Sequence, residues 1–274
     1  MQNNPLISIV IPVHNGEKYI KESLDSCLGQ TYQDSEIIVV NDASADGTLE
    51  ILKEYGDRIK IITVEKQNGL GNVINIGIKE SKGKYIARMD ADDVMYPTRL
   101  EKQVEYLKNN PDCVAVGGQI DIIDSNSNVT GHREYVLEDS KIKRNMFIYQ
   151  PFAHPAVMLR KSSAEEVGLY PEDLWKVEDV KFFFLLSKLG TFANVPDTVL
   201  KYRLSFNTQS QSNMLEHFKK TVEIRKWAKK DLGIKPSFRE SVIWLFQEIG
   251  VRLLSLLPPK IFMGVFELSR KLFK

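Results

Sequence analysis

Short apolar runs alternate with segments of helical periodicity over the first part of the chain. The apolar runs predict four strands at residues 7–11, 36–40, 59–64 and 84–89, and the segments after them predict four helices at 17–28, 48–55, 70–80 and 98–108. Because these runs are apolar at nearly every position, both faces of the sheet should be covered. Four successive strand–helix units therefore predict an α/β fold with a doubly wound, mostly parallel sheet and helices on both faces.

The pattern changes near residue 113, where short strands are predicted with turns at Gly117-Gly118 and at residues 125–128. A further helix is predicted at residues 180–189, and it ends at Gly190. We therefore expect one domain over residues 1–213, made of the halves 1–112 and 113–213, followed by a helical extension over 214–274.

Charge is divided unevenly between these parts of the chain. Residues 1–213 carry 24 Lys and Arg against 30 Asp and Glu, whereas residues 214–274 carry 13 against 6, although the whole chain has a net charge of only +1. The acidic main domain argues against nucleic-acid binding. The basic extension suggests an anionic surface as its partner.

The extension has the pattern of a helix that lies in a membrane interface. Apolar side chains recur at helical spacing over residues 261–273, with lysines on the other face. The apolar stretch at 242–257 is interrupted by charged residues and stops at Pro258, so no run reaches the ~18 residues of a spanning helix. A basic, amphipathic extension on a membrane surface fits this pattern better. The alternative is that these helices pack on the main domain or form a dimer.

Two cysteines, Cys27 and Cys113, fit neither a disulfide framework nor a zinc site, which favours reduced thiols. The start of the chain lacks a basic stretch followed by an apolar core, so no secretory signal is expected. These features predict a cytoplasmic protein, and the basic extension adds peripheral attachment to the inner face of the cell membrane. They leave the oligomeric state open.

Polar residues cluster where each of the four predicted strands ends, at 12–16, 41–47, 67–69 and 90–93. In a parallel sheet these ends meet at one edge, where ligands bind. The last cluster contains Asp90, Asp92 and Asp93, whose hard oxygen atoms suit Mg²⁺ or Mn²⁺. Turn and helix-capping chemistry is the alternative explanation. Neither G-x-x-x-x-G-K-[ST] nor a strand-linked G-x-G-x-x-G is present, which disfavours P-loop and dinucleotide enzymes.

Four motifs, in this order and spacing, resemble those of family 2 glycosyltransferases of the GT-A fold. They are Pro12-Val13-His14-Asn15, residues 41–48, Asp90-Ala91-Asp92-Asp93 and Glu178-Asp179. Bacterial members that build surface polysaccharides are the most similar. The resemblance implies inverting transfer of one sugar from a nucleotide-sugar, such as a UDP-sugar, to a hydroxyl of a glycan or lipid-linked saccharide. It makes residues 1–112 the nucleotide-binding half and 113–213 the acceptor-binding half.

The resemblance also assigns individual residues. The nucleotide-sugar is implied to contact Pro12, His14, Asn15, Glu17, Asp42, Arg88, Asp90 and Arg203, with Asp42 at the base. A divalent cofactor, Mn²⁺ or Mg²⁺, is implied at Asp90 and Asp92. The general base is implied to be Asp179, where the start of an apolar helix favours an ionised carboxylate. The acceptor is implied to lie near His154 and Glu178.

Two other functions are compatible with parts of this pattern. A nucleotidyltransferase would make an activated sugar, but its Gly-rich, basic loop is missing after Ile11. A non-catalytic module would bind nucleotide-sugar or an assembly partner without turnover, and the intact Asp42, Asp90, Asp92 and Asp179 argue against it. Release of nucleoside diphosphate that depends on both Mn²⁺ and Asp179 separates these readings.

Overall fold

Nine strands lie within the residues that the computed structural model describes, which are 5–174, 177–204 and 214–254. They are β1 (Ile7–Val13), β2 (Ser35–Asp42), β3 (Lys60–Val64), β4 (Tyr85–Arg88), β5 (Val94–Met95), β6 (Cys113–Ile123), β7 (Val129–Arg133), β8 (Met158–Arg160) and β9 (Thr191–Arg203). They form one sheet in the order β3-β2-β1-β4-β8-β6-β9-β5, with β7 paired to β6.

Helices connect these strands. They are α1 (Ile20–Leu28), α2 (Thr48–Lys53), α3 (Leu70–Lys79), α4 (Arg99–Asn109), α5 (Asp139–Asn145), α6 (Lys161–Glu166), α7 (Glu178–Leu186), α8 (Met214–Asp231) and α9 (Phe238–Leu254). The first four follow the predicted strand–helix alternation. The α/β fold with a mostly parallel sheet, helices and C-terminal helices is confirmed.

The first four strands form the parallel part of the sheet. Strand β1 pairs in parallel with β2 and β4, and β2 pairs in parallel with β3. All seven residues of β1 are buried, as expected for a strand covered on both faces. Helix α3 packs closely on the sheet at Gly77, because a Cβ at that position would collide with the side chain of Val10. The carboxyl ends of these strands consequently open onto one edge.

Antiparallel pairing dominates the rest of the sheet. Strand β8 is antiparallel to β4 and β6, β7 forms a hairpin with β6, and β6 and β9 run parallel. The turn predicted at Gly117-Gly118 is wrong, since both glycines lie inside β6. A Cβ on Gly117 would overlap the Asn194 amide, so close approach of β9 explains this glycine. The turn predicted at 125–128 is confirmed by the bond from Ser127 N–H to the Asp124 carbonyl (3.1 Å).

Strand β5 follows the acidic run directly and joins this second half of the sheet. Val94 pairs with Lys201 and Met95 with Leu200, both in β9. The run 89–93 therefore leads from β4 in the parallel half to a strand paired in the other half. Cys27 and Cys113 are free and buried.

Two compact units make up the chain. Within the described residues, the first comprises 5–143 and 150–204, and the second comprises 144–149 and 214–254. In the second unit the rings of Phe147 and Trp244 lie 5.8 Å apart, and Arg225 Nε donates to the Met146 carbonyl (3.2 Å). The boundary predicted between residues 213 and 214 stays a prediction, and the amphipathic segment predicted at 261–273 lies outside the described residues.

Helix α9 of the second unit exposes large apolar side chains, which are Phe238, Leu245, Phe246 and Ile249. Their spacing spreads them along one side of the helix. None of the helices in the described ranges combines the length and apolarity needed to cross a membrane.

Candidate active site

Asp90, Asp92 and Asp93 form a tight turn between β4 and β5. Each contributes one carboxylate oxygen to a group whose members all lie within 4.8 Å of one another. The backbone N–H of Asp93 donates to the carbonyl of Asp90 (3.4 Å), and the Ser23 hydroxyl from α1 donates to the same carbonyl (3.2 Å). Three oxygen donors at this spacing can converge on one divalent ion.

The carboxylates of this turn are crowded and poorly solvated. Burial, and then the charge of Asp90, raise the pKa of Asp92 to about 6. Burial and the charges of Asp90 and Asp92 hold the pKa of Asp93 well above its usual range. Among the described residues, Oδ2 of Asp93 is buried with no hydrogen-bond partner. A divalent cation would relieve both the repulsion and the orphaned oxygen, so this donor set fits Mg²⁺ or Mn²⁺.

The guanidinium of Arg88 makes a bidentate contact with the carboxylate of Asp90. The Nη1–Oδ2 and Nη2–Oδ1 distances are 2.8 and 2.7 Å. The Arg88 side chain is only 2% exposed, whereas that of Asp90 is 30% exposed. The charges of Asp90 and Tyr170 outweigh burial and raise the pKa of Arg88, so the guanidinium is a fixed cation. Asp90 is thereby held in one orientation.

A second buried arginine, Arg99, bonds the backbone of Arg88. Arg99, at the start of α4, is fully buried, and its Nη2 donates to the carbonyl of Arg88 (2.7 Å). Its Nε donates to Gln103 (3.1 Å), and the amide of Gln103 donates in turn to the carbonyl of Ala156 (2.7 Å). Burial lowers the pKa of Arg99 to about 10. Helix α4 therefore fixes the backbone on which the acidic turn is built.

Arg203, at the end of β9, holds the other side of the turn. Its backbone N–H donates to Oδ1 of Asp93 (2.8 Å), and its Nε donates to the carbonyl of Asp92 (2.7 Å). Its Nη1 donates to the carbonyl of Asp124 (2.8 Å), and its Nη2 to the carboxylate of Glu22 (2.7 Å). The side chain has no exposed surface. The resemblance implies that Arg203 contacts the donor. In the structure its guanidinium is bonded to protein groups instead.

Two loops at the ends of β1 and β2 are bonded to each other on the nucleotide side of the predicted site. Asp42 is buried at the end of β2, and its Oδ1 accepts the backbone N–H of Asn68 (2.8 Å). His14 is exposed, and its Nδ1 donates to the carbonyl of Asp42 (2.6 Å). Asn15 accepts the N–H of Ala45 (2.8 Å) from its own left-handed conformation, at φ 54°. The loops form a fixed rim with His14 and Asn15 facing solvent.

Pro12 and Glu17 take different positions in this rim. Pro12 is buried within β1, opposite Val40. Glu17 is exposed, and its Oε2 accepts the backbone N–H of Gly47 (3.0 Å). A Cβ on Gly47 would come within 2.9 Å of the Glu17 carboxyl carbon, so the glycine permits this contact. Both residues therefore shape the loops that carry the exposed groups.

Asp179 lies at the first turn of α7, on the acceptor side of the predicted site. Its Oδ2 accepts a hydrogen bond from Gln150 Nε2 (2.8 Å), and its Oδ1 accepts the N–H of Val180 (2.8 Å). Burial raises the pKa of Asp179, while these hydrogen bonds and the charge of Arg88 act against the rise. The result is a positioned carboxylate with increased basicity.

His154 and the buried Tyr170 form a hydrogen-bonded pair in the same region. His154 Nε2 is hydrogen-bonded to the Tyr170 hydroxyl (2.9 Å), and burial followed by the charge of Arg88 holds the pKa of His154 well below its usual range. Asn75 fixes Tyr170 by bonding both its backbone N–H and its carbonyl (2.9 Å each). Because its pKa is lowered in this way, His154 is neutral near pH 7. Glu178 is buried nearby in the chain, beside Gly71 at the start of α3.

The charge of Arg88 connects the two sides of this site. The Arg88 guanidinium bonds Asp90 directly, and its charge lowers the pKa of both Asp179 and Asp92. Asp90 and Asp179 both raise the pKa of Tyr170. The acidic turn and the carboxylate of Asp179 thus share one electrostatic environment.

Comparison with known proteins identifies the family. Residues 8–168 match the model of glycosyl transferase family 2. An uncharacterized glycosyltransferase of Haemophilus influenzae is 36% identical over 263 residues, which cover 92% of this chain and 77% of that protein. The chain belongs to glycosyltransferase family 2. It is similar as well to the uncharacterized glycosyltransferase MJ1057 of Methanocaldococcus jannaschii, with 34% identity over 80% of this chain and 76% of that one.

Solved structures share the fold of this family 2 glycosyltransferase. The structure of S. aureus TarS 1-349 in complex with UDP superposes with a TM-score of 0.66 at 20% identity, over 86% of this chain and 68% of that one. The complex of TarS 1-349 with UDP-GlcNAc gives a TM-score of 0.64 at 18% identity, over 92% of this chain and 81% of that one. Identity this low establishes the shared fold alone. The family assignment makes the chain a glycosyltransferase rather than a nucleotidyltransferase.

Several residues that shape this glycosyltransferase site have no signal of their own in the sequence. Glu22, Gln150 and Tyr170 stand in ordinary helical or irregular segments, and only the fold brings them to Arg203, Asp179 and His154. Arg99 and Gln103 could have been singled out, because two polar residues at i and i+4 on the buried face of an amphipathic helix need internal partners.

Proposed function

We propose that this family 2 glycosyltransferase is a metal-dependent, inverting enzyme that moves one sugar from a UDP-sugar to a hydroxyl of a glycan or lipid-linked saccharide. The observation that carries the proposal is the buried Arg88, which bonds Asp90 of the acidic turn and whose charge also lowers the pKa of Asp179. A single displacement needs a stabilised leaving group and one base near the same sugar carbon. These residues supply both.

The nucleoside is assigned to the loops at the ends of β1 and β2. Asp42 keeps one oxygen on Asn68 N–H, and its second oxygen would accept the N–H of the base. The exposed His14 and Asn15 would contact the nucleoside, while Pro12 and Glu17 would support the loops. The presence of UDP and UDP-GlcNAc in the TarS structures supports uridine as the base.

Asp90 and Asp92 are assigned to a bound Mn²⁺ or Mg²⁺. Such an ion supplies positive charge to the diphosphate as the sugar–oxygen bond breaks. Arg88 would act on the donor through Asp90, since its own side chain is almost fully enclosed. Arg203 is likewise assigned to holding the acidic turn, a different role from the donor contact that the resemblance implies, because its Nε, Nη1 and Nη2 all bond protein groups.

Asp179 is assigned as the general base. The acceptor oxygen would form the new bond to the anomeric carbon as the bond to the diphosphate oxygen breaks, and the hydroxyl proton would move to the carboxylate of Asp179. Attack from the side opposite the leaving group inverts the configuration. Gln150 would keep the carboxylate oriented. The buried Glu178 and the neutral His154 would shape the acceptor side without exchanging protons.

The C-terminal helices are assigned to a membrane surface, where a lipid-linked acceptor would be met. The exposed apolar side of α9 and the excess of basic residues over 214–274 support this assignment. An enzyme attached in this way would work at the inner face of the cell membrane, in polysaccharide biosynthesis.

The test begins with donor binding. Thermal shift against a panel of nucleotide-sugars, with and without Mn²⁺, identifies the donor, because a bound ligand stabilises the folded state by an amount that grows with the logarithm of its concentration relative to Kd. Release of UDP is then measured in the wild type, in Asp179→Asn and in the control Asp173→Asn, which changes an exposed carboxylate.

We expect release that requires Mn²⁺, persists in the control and falls by about 10²- to 10⁴-fold in Asp179→Asn. The anomeric configuration of the product, read by NMR, should be inverted. Equal release by the wild type and Asp179→Asn would contradict the assignment of the base, and retention of configuration would contradict the single displacement.

A further inference from the structure

The Glu22–Arg203 ion pair connects helix α1 to the acidic turn. Arg203 Nη2 lies 2.7 Å from Oε2 of Glu22, and the hydroxyl of Ser127 donates to the same oxygen (2.9 Å). The Arg203 side chain has no exposed surface, and the ring of Tyr19 lies 4.2 Å from its guanidinium carbon. Among the described residues, Glu22 supplies the carboxylate that bonds the buried Arg203 guanidinium.

Arg203 makes two hydrogen bonds to the acidic turn. Its backbone N–H bonds the Asp93 carboxylate, and its Nε bonds the Asp92 carbonyl. A cation this close to the carboxylates competes with a divalent ion for their negative charge, unless another anion balances it.

We propose that Glu22 is a positioning residue for the divalent cation. Its carboxylate neutralises Arg203 at Nη2 and keeps the guanidinium on the backbone carbonyl of Asp92 instead of on the carboxylates. The carboxylate oxygens of the acidic turn are then left to the cation. Glu22 itself makes no contact with the ligand set in this arrangement, and it acts through Arg203.

This inference rests on the proposed metal dependence, and its test reads metal affinity directly. The affinity for Mn²⁺ is measured by electron paramagnetic resonance of the free ion in the presence of saturating UDP, for the wild type and for Glu22→Gln. The control is Glu80→Gln, which removes the carboxylate of a similarly short ion pair, with Lys60 (2.6 Å), at the amino end of β3 and thus at the sheet edge opposite the acidic turn. The two glutamate side chains are similarly exposed, at 42% and 52%.

We expect the affinity for Mn²⁺ to fall about tenfold in Glu22→Gln, as is usual when an outer partner of a metal ligand is lost, and to stay unchanged in Glu80→Gln. Ser127→Ala removes one hydrogen bond to Glu22 and should weaken Mn²⁺ binding in the same direction by a smaller factor. It also serves as the readout if Glu22→Gln does not fold.

Two contrary results have different meanings. Binding of Mn²⁺ by the wild type with equal affinity in Glu22→Gln and Ser127→Ala overturns the inference and leaves the proposed function intact. Failure of the wild type to bind Mn²⁺ in the presence of UDP contradicts the metal dependence itself, and the inference falls with it.

Discussion

Arg88 and Asp90, two positions apart in the chain, are joined by two hydrogen bonds of 2.8 and 2.7 Å at the boundary between the buried sheet and the open acidic turn. The pair resolves a conflict between two requirements. A metal ligand has to reach solvent, whereas its orientation has to be fixed by something rigid. A guanidinium buried in β4 gives Asp90 a rigid partner without covering the face of the turn.

Arg88→Lys should weaken the site even though the charge is kept. A lysine cannot reproduce the planar, two-pronged contact with the Asp90 carboxylate, so this ligand would lose its fixed orientation. We expect the affinity for Mn²⁺ to fall by about 10- to 100-fold. Titration with Mn²⁺ in the presence of UDP measures it, and Arg58→Lys, at an exposed arginine, is the control. An unchanged affinity in Arg88→Lys would show that the pair does not orient the turn.

Gln150→Ala should shift the pH dependence of turnover to higher pH. As the proposed base, Asp179 must be ionised to accept a proton, so the rate should fall as the pH drops through the pKa of Asp179. Burial already raises that pKa, and the hydrogen bond from Gln150 opposes the rise. Removing the bond therefore raises the pKa further.

The measurement is kcat across pH at saturating substrates and Mn²⁺. The acid limb of the profile should move to higher pH in Gln150→Ala and stay in place in Gln33→Ala, which alters an exposed glutamine. A lower kcat with an unmoved limb would mean that Gln150 has only a structural role.

Gly77→Ala and Gly250→Ala should change stability in opposite directions. Alanine favours a helix over glycine by about 1 kcal/mol in both positions. At Gly77 the new methyl group would collide with Val10 in β1, and such overpacking costs about 1–3 kcal/mol. At Gly250, by contrast, no atom of the described residues outside the local helix backbone lies within 4 Å of a Cβ. Urea denaturation followed by circular dichroism should show a lower midpoint for Gly77→Ala only. Equal midpoints would argue against tight packing of α3 on the sheet.

Leu245→Asp combined with Phe246→Asp should reduce binding to anionic membranes. Both side chains are exposed on α9, and burying them in the membrane interface would add to the attraction of the basic extension. Flotation with phosphatidylglycerol vesicles measures binding. Lys108→Asp, which changes the net charge by the same two units at an exposed position of the first unit, should bind like the wild type. Equal loss in both proteins would mean that net charge alone drives binding.

The parallel half of the fold could be predicted from the sequence because burial on both faces leaves an unmistakable pattern. Strand β1 is apolar at all but one position and fully buried, and the polar clusters fall directly after the strands. The mixed half could not be read in the same way. In β6 two glycines stand where β9 approaches closely, and a local reading takes such a pair for a turn.

The site divides along similar lines. Residues at the ends of strands, such as Asp42 and Asp90, could be predicted to lie at the same edge of the sheet because the topology brings strand ends together. The partners that determine their behaviour could not. Glu22 and Arg203 are 181 positions apart, and their ion pair depends on the packing of α1 against the end of β9. No local pattern carries that information.

Lastly, the acidic turn constrains how far the sheet can flatten. Strands β4 and β5 have β8, β6 and β9 between them, so in a flat sheet they would stand about 19 Å apart at the usual spacing of ~4.8 Å. The six peptide steps from Arg88 to Val94 reach about 20 Å only when fully extended, yet Asp93 N–H folds back onto the Asp90 carbonyl. The sheet therefore has to curl until the edge strand β5 returns toward β4. The carboxylates lie on the short connection that joins these two strands.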